Sequence, residues 1–376
     1  MTRLSVVWAL FSYLVPIYPL YAVFFADTGL SGAEISLLFV IWSAVGIVAE
    51  VPSGALADRF SRRWSLVAAS VLQAVGYVVW VTAPEFAGFA VGFVLWGLGG
   101  ALISGAFEAL LYDGLAAAGE QERFARVNGW VTATGLLSEL PAAAAASWLF
   151  SVGGYVLAGW VSVGVCLVGA AVASLFPEPV RDESDEDELG YFATLRVGVR
   201  EAAAHPGARA MVIAAAVLGG LDAFEEYFPL MAHGWGVSSG LVPLAMVGIP
   251  LAGAAGAAVG GVMRWRPGMP AWVLGAAMVL LLVSGLWRQP WGLALVAVFY
   301  GLYRAVLVVV EARLQDSIEG PARATVTSVA GIGVEVAAFG VYGAWALGGV
   351  VAVALLFLVV AVALPGLARG SARVVR

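Results

Sequence analysis

Three carboxylic acids, Asp222, Glu225 and Glu226, interrupt an apolar stretch that runs from 207 to 232. Asp222 falls about 20 Å along such a helix at roughly 1.5 Å per residue. Positions three and four beyond it lie within about 100° of arc on a regular α-helix, so the three carboxyls are expected to share one face. Grouped carboxylates repel one another, and charge at membrane depth carries a desolvation cost, so a proton or a cation must neutralise part of the set. Arg304 is the basic counterpart inside another apolar stretch, and Tyr300, four residues earlier, shares its face. A carboxylate there can be neutralised by a proton, by Arg304 or by a cationic solute, and exchange among the three is the chemistry of ion coupling. Glu139 and Glu335 stand at similar mid-stretch places elsewhere and are further coupling candidates. For Glu225 and Glu226 the alternative is exposure at an outer mouth.

The elements that must position these groups follow from composition. The 376 residues are 62% hydrophobic and 12% charged, with a mean hydropathy of +0.95. That leaves too little polar surface to cover a soluble globule, whose charged share is about a quarter. Runs of about twenty apolar residues, each able to cross a hydrocarbon core roughly 30 Å thick, recur along the chain. They are placed at 4–25, 32–55, 64–83, 86–112, 127–149, 153–176, 207–232, 238–262, 271–287, 291–313, 322–343 and 345–366. An all-α membrane protein with twelve transmembrane helices is expected. The least marked boundary is the last, where Gly343, Gly348 and Gly349 offer the break. The first run is too long for a signal peptide, contains Pro16 and Pro19, and lacks a small-x-small cleavage site before Asp27.

Every one of the 19 basic residues is Arg, and their placement sets the orientation. With the N-terminus inside, the inner segments carry Arg3, Arg59, Arg62, Arg63, Arg123, Arg126, Arg181, Arg196, Arg200 and Arg209. They also carry Arg264, Arg266, Arg313, Arg323, Arg369, Arg373 and Arg376. Arg288 alone falls outside, and Arg304 within a span. Basic loops resist translocation, so both termini are expected to be cytoplasmic, in the cell membrane.

The longest polar interruption, 177–206, divides the chain into an N-terminal six-helix half, 1–176, and a C-terminal six-helix half, 207–376. Its acidic run from Asp182 to Glu188 reads as a solvated linker. Phe192, Leu195 and Val199, beside Arg196 and Arg200, then suit a short helix on the inner membrane surface. The halves resemble each other: "EALLYDGL" starting at Glu108 and "EARLQDSI" starting at Glu311 repeat Glu, Ala, Leu and Asp at equal spacing, and Arg126 and Arg323 follow. Duplicated halves are inferred. The lone Cys166 lies inside the sixth span, so no intrachain disulfide forms and packing is its expected role.

The turn "GALADRFSRR", Gly54 to Arg63, falls between the second and third spans on the inner side. Asp58 there can accept from unpaired helix N–H groups, while Arg59, Arg62 and Arg63 can pair with carboxylates or lipid phosphates. The stretch resembles the loop signature of the major facilitator superfamily, Gly-x-Leu-Ala-Asp-Arg-x-Gly-Arg-Arg. Gly54, Leu56, Ala57, Asp58, Arg59, Arg62 and Arg63 match it, and Ser61 replaces the second Gly. The resemblance implies that the loop Asp helps latch a transporter on its inner side. Glu50, Glu108, Asp113, Arg126, Glu311, Asp316 and Arg323 lie at the same level and would complete a cytoplasmic gate. It also implies a substrate cavity ringed by spans 1, 4, 7 and 10, which Tyr13, Tyr18, Tyr21, Tyr227, Tyr300 and Tyr303 would make aromatic, with packing as the alternative for any one of them.

The expected function is secondary active transport of a small organic solute by alternating access, as proton-coupled efflux. Proton-coupled or facilitated uptake of a metabolite is the alternative within transport, and a non-transporting membrane sensor or lipid-handling protein the alternative outside it. The drug-antiporter branch of the family carries an Arg in helix 4 and a Gly-Pro pair in helix 5; here "VLWGLGGALISG" has no Arg, and Pro141 lacks the preceding Gly. No P-loop or metal motif occurs, so no enzymatic chemistry, cofactor or metal is expected. The expected partners are a small-molecule substrate, protons and the lipid bilayer, with no nucleic acid, for a chain working as a monomer.

Overall fold

A computed structural model describes residues 1–59, 61–178, 206–263, 265–266, 268–316 and 323–372. Among them every regular element is a helix. Lipid offers no hydrogen-bond partners, so an apolar chain must satisfy its backbone within each segment. Nine described stretches are long and apolar enough to cross a membrane. Two of these contain a Gly-Gly interruption that ends one helix and begins the next, and a further helical segment, 206–234, lies outside the nine.

The two interruptions are nearly the same structure. Gly153 and Gly154 take φ/ψ of −150/19° and 63/−158°, and Gly348 and Gly349 take −162/19° and 58/−146°. Gly154 and Gly349 occupy positive-φ backbone that a side chain disfavours, so glycine recurs at both breaks. The eleventh span therefore ends at Gly348, past the Gly343 boundary expected from the sequence, because Gly343 keeps helical backbone.

Two compact units divide the chain: Met1–Glu186 with Ser238–Leu244, and Asp187–Val237 with Ala245–Arg376. In the first, Pro16 and Pro19 break the first span into Thr2–Tyr13, a short 3-10 turn Tyr18–Leu20 and Tyr21–Asp27. Gly32–Arg59 begins with a reciprocal cap, in which Ser31 N donates to Glu34 Oε2 at 2.8 Å and Glu34 N donates to Ser31 Oγ at 3.2 Å. It packs on Phe86–Ala117. One cluster of rings joins Tyr21, Phe25, Phe39, Trp80 and Phe93; another core sets Trp8 on Phe107 with centroids 4.5 Å apart, beside Leu66, Leu110 and Phe176. Tyr155 Oη and Ser239 Oγ both donate to Asp27 Oδ2, at 2.5 and 2.8 Å, which ties Ser238–Leu244 into this unit.

In the second unit, the seventh span is also broken, into an α-helix Pro206–Gly220, a 3-10 segment Leu221–Tyr227 and an α-helix Phe228–Gly234. Gly219 and Gly220 let it approach Val334 and Ala337 on Arg323–Ala372, since a Cβ at either would come within 2.7 Å of those side chains. Gly248–Val262 lies so close to Gly292–Asp316 that a Cβ on Gly256 would stand 1.9 Å from Gly301 O. Small residues at such crossings are what lets transmembrane backbones touch.

The turn between the second and third spans is shorter than expected. Helix Gly32–Arg59 keeps Gly54 through Arg59 in its last turns, and the next helix starts at Arg62. Ala55, Leu56 and Ala57 favour helix, which explains the extension. The side chains of Asp58, Arg59, Asp316 and Arg323, and most of the linker with its expected surface helix, lie outside the described residues. Cys166 is buried in its helix, as packing requires.

Candidate functional site

The 3-10 segment Leu221–Tyr227 decides which acids meet. A 3-10 helix has three residues per turn, so residues i and i+3 eclipse and residue i+4 turns about 120° away. Asp222 and Glu225 therefore share a face, and Glu226 does not. The expected three-acid face is thus reduced to two: Glu226 is buried at 9% exposure on the other side, whereas Glu225 is exposed. Runs of 3-10 geometry this long are uncommon, and mid-helix they often mark a functional hinge.

On the Gly292–Asp316 helix, Tyr300 and Arg304 reach the shared face from opposite it. Arg304 Nη1 donates to Asp222 Oδ2 at 2.6 Å, a salt bridge with side chains 33% and 28% exposed. Tyr300 Oη lies 3.1 Å from Asp222 Oδ1 and 2.9 Å from Glu225 Oε2. The guanidinium also sits 6.0 Å from the Tyr300 ring centroid, within cation–π range. Among the described residues Glu225 makes no salt bridge.

Sequence reasoning missed Gly253 on the Gly248–Val262 helix. A Cβ there would stand 2.6 Å from Tyr300 Cε1 and 3.4 Å from Arg304 Cγ, so the bare backbone is what leaves room for the tyrosine. Tyr303 serves another purpose: it is buried, and its hydroxyl donates to Leu218 O at 2.6 Å, pinning the two helices just below the broken segment. Tyr227, stacked on Trp345 at 4.3 Å, and Tyr21 are also core residues. Tyr13 is exposed against Gly135, Tyr18 is exposed, and Glu139 and Glu335 are exposed on their helices. Glu311, two turns beyond Arg304, is exposed as well.

In the first unit, Arg62 pairs with Asp113. The helix starting at Arg62 is capped by Ser61, whose Oγ accepts from Trp64 N at 3.1 Å, and by Glu178. Glu178 Oε1 accepts from Arg62 N at 2.7 Å, Oε2 accepts from Ser61 Oγ, and Arg63 Nε lies 3.9 Å away. A carboxylate at a helix N-terminus satisfies unpaired N–H groups and the positive end of the dipole. At this helix that role is taken by a residue 116 positions from Arg62; the same role expected of Asp58 falls on a side chain outside the described residues. Glu50 Oε1 accepts from Ser104 Oγ at 2.9 Å. Glu108 and Arg126 are exposed and, among the described residues, join no ion pair.

The sequence matches the Major Facilitator Superfamily over residues 4–353. The chain belongs to that family. It is therefore a secondary transporter and a multi-pass membrane protein rather than an enzyme. Its fold matches the crystal structure of the nucleoside transporter NupG, with a TM-score of 0.74, 12% identity and 100% of this chain and 98% of that one covered. It also matches a bacterial homologue of the human lysosomal transporter Spinster, inward-facing and unoccupied, with a TM-score of 0.74, 17% identity and 98% and 96% covered. A D-xylose–proton symporter gives a TM-score of 0.70 at 14% identity, with 96% of each chain covered. These likenesses concern the fold alone. In sequence, a Na(+), Li(+), K(+)/H(+) antiporter of Planococcus maritimus is 32% identical over 107 residues, a match spanning 26% of this chain and 24% of the relative. The transporter family binds small-molecule substrates, as expected from the sequence.

Proposed function

We propose that the transporter exports a small cationic or polar solute across the cytoplasmic membrane in exchange for protons. The observation that carries this reading is the pair of carboxylates on the broken seventh span, with one guanidinium beside them. Asp222 is balanced by Arg304. Glu225 is a second acid on the same face, at membrane depth, exposed and with no salt bridge among the described residues. Such a site favours either a proton or a positively charged cargo, and competition between the two couples their fluxes in opposite directions. The first span of each half is broken, by Pro16 and Pro19 in one and by the 3-10 segment in the other. Interrupted helices at corresponding places in duplicated halves are where transporters put their binding sites. The antiport activity of the Planococcus relative supports exchange over symport, and it favours one second reading of the cargo, an alkali cation.

Further parts of the account are proposed on the sequence pattern. The halves 1–176 and 207–376 are the duplicated units, joined by 177–206, and the Arg distribution puts both termini in the cytoplasm. Arg62 and Asp113, with Asp58, Arg59, Arg63, Glu50, Glu108, Arg126, Glu311, Asp316 and Arg323 at the same level, form the cytoplasmic gate. Glu139, Glu335 and Tyr13 line the route.

Proteoliposomes with an imposed pH gradient, offered sodium, potassium, lithium and a panel of organic cations and neutral solutes, test the exchange. Accumulation of one cargo class on the acidic side, collapsing when a protonophore is added, is expected. Flux of a cargo that ignores the gradient would leave a facilitator.

A further inference from the structure

We infer that the exchangeable proton rides on Glu225, not on Asp222, and that Tyr300 is the positioning residue linking Glu225 to the Asp222–Arg304 pair. This rests on the proton-coupled reading above and names the atoms within it.

The argument is a count of hydrogens. A tyrosine hydroxyl owns one proton and can also accept. Tyr300 Oη stands within hydrogen-bond distance of two carboxyl oxygens, Asp222 Oδ1 at 3.1 Å and Glu225 Oε2 at 2.9 Å. It can donate to one of them. If both acids were ionised, the other contact would set two acceptors against each other. Asp222 Oδ2 already accepts from Arg304 at 2.6 Å, so Asp222 is the ionised partner. With Tyr300 donating to Oδ1, each Asp222 oxygen has its own donor. The remaining contact is satisfied when Glu225 donates its own O–H to Tyr300 Oη. The chain then runs in one direction, from Glu225 to Tyr300 to Asp222, and closes on Arg304. Charge agrees with geometry, because neutral Glu225 leaves one cation facing one anion across the shared face.

The surroundings give the proton a way in and out. Glu225 is exposed, whereas Tyr300 is 7% exposed and fixed by the missing side chain at Gly253. Charged and titratable groups near Glu225 are Asp222 and Glu226 on its own segment and Tyr300, Tyr303 and Arg304 on Gly292–Asp316. Tyr342 faces it from Arg323–Ala372 and is itself near Glu226 and Glu335. Loss of the Glu225 proton leaves Tyr300 one hydrogen for two carboxylates, so it must release Asp222 or fail Glu225. Either choice loosens the Arg304 pair or leaves a bare carboxylate for a cationic cargo. Protonation is thereby tied to cargo affinity through one hydroxyl.

Infrared difference spectroscopy of the purified full chain, without cargo, reads the protonated carboxyl directly through its C=O stretch and that band's shift in deuterated water. The parent is expected to show an exchangeable protonated-carboxyl band that Glu225→Gln removes. Glu225→Asp should keep a band at altered frequency, and Tyr300→Phe should keep it while moving it upward, since one hydrogen-bond partner is gone. Thermal unfolding of each variant confirms that it is folded. A band that survives Glu225→Gln unchanged places the proton elsewhere and overturns the assignment. So does a band that Tyr300→Phe fails to move, which would leave Tyr300 a packing residue. Proton-independent cargo flux with the band behaving as expected would instead sink the coupling reading and leave the assignment standing.

Discussion

Arg304 Nη1 lies 2.6 Å from Asp222 Oδ2, bridging two helices whose paired residues are 82 positions apart in the chain. An ion pair between helices fixes the two against each other as well as the local charge. Removing one partner leaves the other unpaired, which costs several kcal/mol for fully buried groups and less where water reaches them. Both side chains here are about one-third exposed or less, so Arg304→Ala is expected to cost about 1–2 kcal/mol after that screening. Asp222→Ala in the Arg304→Ala background should restore part of the loss. Thermal unfolding in detergent of the two single variants and the double variant gives the coupling. Simple additivity would mean that the pair contributes nothing.

Gly253 carries a second prediction. The Cβ of Gly253→Ala would meet Tyr300 Cε1 at 2.6 Å, with Arg304 Cγ next in line. The ring must swing, and its hydroxyl leaves Asp222 and Glu225. Overpacking of this kind typically costs about 1–3 kcal/mol, so the midpoint of unfolding should fall by a few degrees, and gradient-driven transport should drop roughly tenfold or more. Combining Gly253→Ala with Tyr300→Ala should recover stability without recovering coupling. Full transport in Gly253→Ala would show that the ring position is not critical.

The cap of the helix that begins at Arg62 supplies a third. Ser61 and Glu178 both act on the helix that begins at Arg62. Ser61→Ala and Glu178→Gln are each expected to destabilise by about 1 kcal/mol, the usual worth of an N-cap contact. Asp58→Asn is expected to lower turnover sharply with little change in unfolding, as its family resemblance to a latch residue implies. Equal transport at equal expression would reduce Asp58 to an anchor for topology.

Orientation is testable by labelling. On a Cys166→Ser background, a cysteine replacing Ser61 is expected to resist a membrane-impermeant maleimide applied outside, and one replacing Gln289, next to Arg288, to react. The opposite pattern would invert the protein.

The broad architecture is legible in the sequence because lipid imposes length and hydropathy on every span, and because ionisable residues in those spans stand out against them. Asp222, Tyr300 and Arg304 emerge in this way and do meet. Other features are hidden. Nothing in "LDAFEEY" announces a 3-10 turn, so regular helical spacing groups Glu226 with its neighbours, whereas the tighter winding turns it away. Glu178 caps a helix 116 residues earlier in the chain, a pairing that local spacing cannot show. Gly253 is one glycine among 47, and its role exists only against the tyrosine it faces. The tyrosines also look alike in sequence, yet Tyr227 and Tyr303 are core and Tyr300 bridges the acids.

The most direct test of the account compares parent and Glu225→Gln in proteoliposomes containing a trapped pH dye, using whichever cargo the gradient experiment identifies. Parent vesicles should release protons in step with cargo entry and should concentrate cargo against its gradient when pH is imposed. Glu225→Gln should lose both, because the carboxyl that trades its proton for the cargo is gone, while the Asp222–Arg304 pair keeps the two helices together. Unchanged proton release and accumulation by Glu225→Gln would contradict the account.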